Sequence, residues 1–173
     1  MTGSTIKPIL TIVPLIAVLV SCNPFAPGLD TQLTSNSILG DQTTIDGVFQ
    51  NFKYAYTVRD TSIYGKLIGS GFTFIYRDYD RGVDVSWGRD EDMRSTSVMF
   101  QNVERLDLVW NNIAALSTDS SGTHASVTRN FNLTFTFNPT DIERVDGYAS
   151  FSLERPQPKS PWRILRWQDE SNY

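Results

Sequence analysis

The chain has 173 residues and a net charge of −4, with 40% hydrophobic and 20% charged residues. Its apolar share suffices for a packed core and excludes a disordered solvating chain. The absence of a Lys and Arg cluster argues against a nucleic-acid partner, because affinity for phosphate rests on such clusters.

Residues 1–21 read as a signal peptide. Lys7 supplies a positive start, and Ile9 to Val20 is apolar apart from Thr11 and Pro14. A spanning helix needs about 20 apolar residues, so this run is too short to be one. Its removal takes away Lys7, the only charged residue of the segment, and leaves −5. The ending Leu19-Val20-Ser21-Cys22 resembles the lipobox of bacterial lipoproteins. That resemblance implies a diacylglyceryl thioether on Cys22, with palmitate-type chains that attach the protein to a membrane. Cys22 is the only cysteine, so an internal disulfide is excluded. Two or more acyl chains, at about 0.8 kcal/mol per buried CH₂, hold a protein on a bilayer where one does not. The expected location is the bacterial cell envelope. Asn23 stands where many inner-membrane lipoproteins carry aspartate, which favours the periplasmic side of an outer membrane where one exists.

Residues 22–42 carry Pro24, Pro27, Gly28 and Gly40 without a sustained period and read as a flexible tether. The alternative is that Leu29, Leu33, Ile38 and Leu39 dock on the domain that follows. That domain is expected over residues 43–173. Thr43, with Asp46 three positions on, reads as a capping box, and Ile45, Val48, Phe49, Phe52 and Tyr56 recur at helical spacing. A shorter helix carries Ile63, Tyr64, Leu67 and Ile68, with Gly69 and Gly71 as its stop. Phe72 to Trp87 reads as a hairpin, in which Phe72, Phe74 and Tyr76 face Val83, Val85 and Trp87 across the polar turn 77–82. After Gly88 the acidic run Asp90-Glu91-Asp92 opens a third helix, carried on by Met93, Ser97, Phe100 and Val103. The run lacks the spacing of a calcium loop, so no metal is expected there.

Four strands follow. Leu106, Leu108 and Trp110 mark one, Phe131 to Phe137 the next and Ala149, Phe151 and Leu153 a third. Segments 118–126 and 138–147 are the expected turns. Pro156, Pro158 and Pro161 precede a last strand, Trp162 to Trp167, and Asp169 falls in a short polar tail.

This order, with the aromatic helix Phe49 to Asp60, the Phe72-x-Phe74-x-Tyr76 strand and the closing Trp162-Arg163-Ile164-x-x-Trp167-x-Asp169, resembles the NTF2-like (SnoaL-like, cystatin-like cone) superfamily over about residues 43–170. The resemblance implies an α+β cone, with three helices from the N-terminal half packed on a curved, mostly antiparallel sheet of about six strands. Members include isomerases, dehydratases and epoxide hydrolases as well as domains without catalysis, so the fold alone leaves function open.

An enzyme of this type needs an acid or base inside the cone. His124, the only histidine, falls in a small polar loop that should be wet. Asp84 and Asp107 sit on strands opposite the apolar set, and Tyr56, Tyr64, Tyr76 and Tyr148 have ready structural uses. No catalytic residue, metal or cofactor is therefore assigned. The expected function is a membrane-anchored, non-catalytic binding or interaction module, with an isomerase- or dehydratase-type enzyme using a carboxylate in the cone as the alternative. Phe72, Phe74, Tyr76, Trp87, Trp110 and Trp167 are the candidate pocket lining. An apolar small ligand, an envelope protein docking on the outer sheet face, or a second copy in a homodimer are the expected partners. A cavity of about 300 Å³ or more would favour the ligand, and a filled cone the assembly role.

Overall fold

A computed structural model describes Gly3 and residues 38–172 of the chain. Apart from Gly3, the expected leader, Cys22 and most of the expected tether lie outside the described residues. No helix among the described residues is long and apolar enough to cross a membrane.

The elements run α1 (Ile45–Val58), α2 (Thr61–Leu67), β1 (Ile68–Asp78), β2 (Val83–Gly88), α3 (Arg89–Asn102), β3 (Arg105–Thr118), β4 (His124–Asn138), β5 (Asp141–Glu154) and β6 (Arg163–Asn172). The architecture is α+β, three helices on one open, mixed six-stranded sheet in the order β2-β1-β6-β5-β4-β3. All neighbours are antiparallel except β1 and β6. β6, last in sequence, is thus interior to the sheet. Register shifts interrupt four of the five strand pairs, and such bulges bend a sheet and raise its twist.

The start of α1 differs from the capping box expected at Thr43. Thr44 is the N-cap, and its side chain accepts from the Gly47 N–H at 3.0 Å. Thr43 instead donates to Asp41 through its N–H and hydroxyl. Gly47 follows from this local fold, since an added Cβ would lie 1.8 Å from the Asp41 carbonyl oxygen. The ordered domain also reaches back into the segment read as tether. The Gly40 N–H donates to Asn51 Oδ1 and Asn51 Nδ2 donates back to the Gly40 carbonyl, while Gln42 exchanges backbone and side-chain hydrogen bonds with Trp162. Leu39 and Ile38 remain exposed.

All strands but β2 are longer than their apolar alternation suggested. Gly69 and Gly71 do not stop α2 but lie within β1, which continues directly from the helix. The turn expected over 138–147 shrinks to residues 139–140, because Asp141 to Gly147 pairs with β4. β6 continues through the expected polar tail to Asn172. Ile164 and Trp167, three apart, both face inward because β6 slips register against β5 between its pairings with Ile164 and Arg166. From there Asp169 and Ser171 keep the inward phase and are buried. Gly147 makes this extension possible, since a Cβ there would meet the Ser171 Cα at 2.4 Å.

The core is a ring cluster under α1. Phe49 stacks on Phe151 with centroids 5.3 Å apart, and Phe52 touches the rings of Tyr56, Tyr64, Trp110, Phe151 and Trp167. Phe72, Leu106, Val127, Leu153 and Ile164 complete it. Large buried rings dominate packing energy in a core of this composition.

Candidate functional site

Beyond the reach of α1's first turns the inner face of the sheet is not filled. A cavity of about 340 Å³ opens between α3 and strands β1, β2, β4, β5 and β6. From α3 it takes Asp92, Ser95, Thr96 and Met99, the spacing of one helical face. The sheet supplies Phe74 and Tyr76, Trp87, the Phe131, Leu133 and Phe135 row, Val145, Trp167 and Asp169, and α1 supplies Tyr56. The β1–β2 register explains one wall. Phe74 pairs with Trp87 and Tyr76 with Val85, so the same faces of both strands turn inward, and the Phe74 and Trp87 rings stack at 4.5 Å.

Four of the six expected lining residues, Phe74, Tyr76, Trp87 and Trp167, border this cavity. Phe72 and Trp110 do not. Phe72 lies one alternation nearer the solid core and is 2% exposed. Trp110 packs edge-on against Phe49, donates from its indole to the Phe49 carbonyl at 3.1 Å, and borders a separate small groove with Asp46, Lys53 and Arg129.

The polar part of the site is what sequence reasoning missed. Asp92, expected only as part of the acidic first turn of α3, is 4% exposed. Tyr64 donates its hydroxyl to Asp92 Oδ2 at 2.6 Å, and Trp87 donates its indole N–H to Asp92 Oδ1 at 3.1 Å. Burial pushes the Asp92 carboxyl up from the ordinary value, against the lowering by these two donors and by the charge of Arg89. Burial likewise drives the Tyr64 phenol well up, so it remains a donor. Asp169 is 7% exposed and accepts from the N–H and hydroxyl of Ser171. The Trp167 indole nitrogen is buried and has no hydrogen-bond partner among the described residues. A signal for Asp92 existed in the sequence. Asp92, Thr96 and Phe100 recur at four-residue steps, but the two polar members hid the inward face.

The residues weighed for catalysis lie elsewhere. His124 is exposed at the start of β4, its Nδ1 3.4 Å from the Asp119 carboxylate in the β3–β4 turn. Asp107 lies on the outer sheet face and pairs with Arg105 at 2.6 Å. Asp84 pairs with Arg77 at 2.9 Å in solvent. Tyr148 is exposed on the outer face, whose neighbouring strand positions carry Asn130, Thr128 and Ser150. Of the acidic run, Glu91 pairs with Arg94. Among the described residues no group of three or more His, Cys, Asp and Glu is placed to hold a metal ion.

Chemically the cavity is an apolar, aromatic pocket with two oriented acceptors. Both oxygens of Asp92 already receive a hydrogen bond, so the group is fixed in direction. Each carboxylate oxygen has a second lone pair, so Asp92 keeps acceptor capacity beyond these two donors.

No family model and no curated protein matches the sequence. Solved structures do match in fold. A conserved protein from Planctomyces limnophilus aligns with a TM-score of 0.64 at 14% identity, over 76% of this chain and 96% of that one. A candidate dehydratase of the NTF2-like family from Streptomyces avermitilis aligns at 0.57 and 17%, over 74% and 93%. A candidate scytalone dehydratase from Novosphingobium aromaticivorans aligns at 0.59 and 12%, over 75% and 82%. At these identities the likeness is one of fold.

Proposed function

We propose that this NTF2-like domain is a non-catalytic module that binds a small, largely apolar molecule in its cone and is held at the bacterial envelope by a lipid on Cys22. The observation that carries the binding half is the cavity of about 340 Å³ walled by aromatic and aliphatic side chains. That volume lies in the range of small-molecule sites, which are mostly apolar with a few placed polar groups. The anchoring half rests on the sequence Leu19-Val20-Ser21-Cys22.

The non-catalytic reading is supported by the exposed position of His124 and the outer-face position of Asp107, neither of which borders the cavity. One observation favours the enzyme alternative. A buried carboxylate with its pKa pushed up, beside an apolar cavity, is the setting in which such groups act as acids or bases.

The neutral dye N-phenyl-1-naphthylamine tests the binding reading. Its fluorescence should rise saturably with the wild-type chain, and Leu133→Trp, which fills the cavity from β4, should weaken binding at least tenfold. Absence of dye binding, or binding indifferent to Leu133→Trp in a folded variant, overturns it. Cys22→Ala tests the anchor, which requires loss of fatty-acid labelling and an uncleaved precursor.

A further inference from the structure

We infer that the molecule held in the cone is a neutral aromatic alcohol whose hydroxyl donates a hydrogen bond to Asp92, an inference that rests on the binding reading above. The cavity has one polar wall and one aromatic wall. Asp92, Ser95 and Thr96 border it from α3, at the three- and four-residue steps of one helical face. The sheet supplies the other wall, where Phe74 and Trp87 stack at 4.5 Å and Trp167 meets Phe74 edge-on at 4.9 Å. Asp92 is held at the junction of the two, because the edge of the Trp87 indole donates to its Oδ1 at 3.1 Å. The second donor, Tyr64, is fully buried, is not part of the cavity wall and occupies one position on Oδ2. A carboxylate has about four lone-pair sites, so these two donors leave acceptor capacity on a residue that borders the cavity.

The chemistry of that acceptor selects the donor. Burial raises the Asp92 pKa while the charge of Arg89 lowers it, so a cation already acts on the group and the site does not call for another. A hydroxyl donates to an ionised carboxylate and accepts from a protonated one, so it is matched in either state, whereas an ammonium is matched only to the ionised one. An anionic ligand would find no partner, since among the described residues no Lys, Arg or His borders the cavity. A wholly apolar ligand would strip water from a carboxylate that can still accept, which costs free energy. Flat rings laid against Phe74, Trp87 and Trp167 gain the stacked and edge-on contacts that these residues already make among themselves.

Displacement of N-phenyl-1-naphthylamine from the full chain, with four naphthalenes of similar shape, tests this. 2-Naphthol should displace the dye at concentrations at least tenfold lower than 2-methylnaphthalene, which lacks only the hydroxyl, and 2-naphthoate should not displace it. The cationic 2-naphthylmethylammonium should need a higher concentration than 2-naphthol. Tenfold corresponds to about 1.4 kcal/mol, the lower end for a hydrogen bond to a charged group. Asp92→Leu should cut the preference for 2-naphthol over 2-methylnaphthalene at least threefold, with circular dichroism confirming the fold, and Ser95→Ala should leave that preference unchanged. Since the wild-type ratio already tests the inference, a variant that fails to fold does not protect it. Equal displacement by 2-methylnaphthalene, displacement by 2-naphthoate, stronger displacement by the ammonium, or a preference that follows Ser95 instead of Asp92 overturns the alcohol inference and leaves the binding reading standing. Failure of the dye to bind at all overturns both.

Discussion

The two ends of the inner sheet face are built from the same kinds of residue and do opposite things. Under α1, the rings of Phe49, Phe52, Phe151 and Trp110 meet at centroid distances of 4.9–5.9 Å and fill the space. Under α3, Phe74, Tyr76, Trp87 and Phe135 leave a cavity. The difference lies in the helix opposite each set. α1 projects Val48, Phe49, Phe52 and Tyr56 toward the sheet, whereas α3 presents the short Asp92, Ser95 and Thr96 with Met99 as its one long side chain in the cavity wall. An aromatic strand thus becomes core or pocket according to what faces it.

Truncation should break this comparison most sharply at the filled end. Phe151→Ala removes a ring that is 1% exposed and touches four others, and should cost about 3–5 kcal/mol in a denaturant titration. Tyr64→Phe should come next at about 1–3 kcal/mol, because it leaves the buried Asp92 Oδ2 without its donor. Phe135→Ala, half-buried at the cavity, should cost about 1 kcal/mol, since the ring already faces open space on one side. A loss at Phe135 equal to that at Phe151 would show that the cavity is packed in solution.

The smallest effect separates the two kinds of aspartate by sign. Asp92 has its pKa raised by burial, so the folded state holds that proton more tightly than the unfolded one. Its contribution favours the fold at low pH and is lost as pH rises through the folded value. Asp119 has its pKa lowered, chiefly by the hydrogen bond from Ser121 and then by the His124 N–H. Its contribution is present above about pH 4, the unfolded value, and is lost as pH falls through the folded one. In melts from pH 7 to 3, wild type should gain on Asp92→Asn and lose on Asp119→Asn. The same slope in both comparisons would mean that Asp92 is not buried in the native state.

The alternating strands and the helix carrying Val48, Phe49, Phe52 and Tyr56 were legible because periodicity reports which face of an element turns inward. What lies across the interior from that face is not a local property. Trp87 and Trp110 are equivalent in sequence, and only the register of β2 against β1 and the packing of α1 on β3 send one to the cavity and the other to the core. Asp169 was hidden differently. A polar residue after an apolar strand looks like a tail until the slip in β6 and the close approach at Gly147 carry the strand past it.

The central position of β6 has a consequence for when the molecule can form. Ile68, in the first strand, pairs with Ile164 in the last, and among the described residues β6 alone joins the β1–β2 hairpin to the β3–β5 meander. Until residues 163–172 are available, the chain holds two separate pieces of sheet, each with an unpaired edge. Contacts so distant in sequence make folding late and slow, because the intervening loop must close before any of them form. A chain of this topology therefore cannot close its sheet while residues 163–172 are missing.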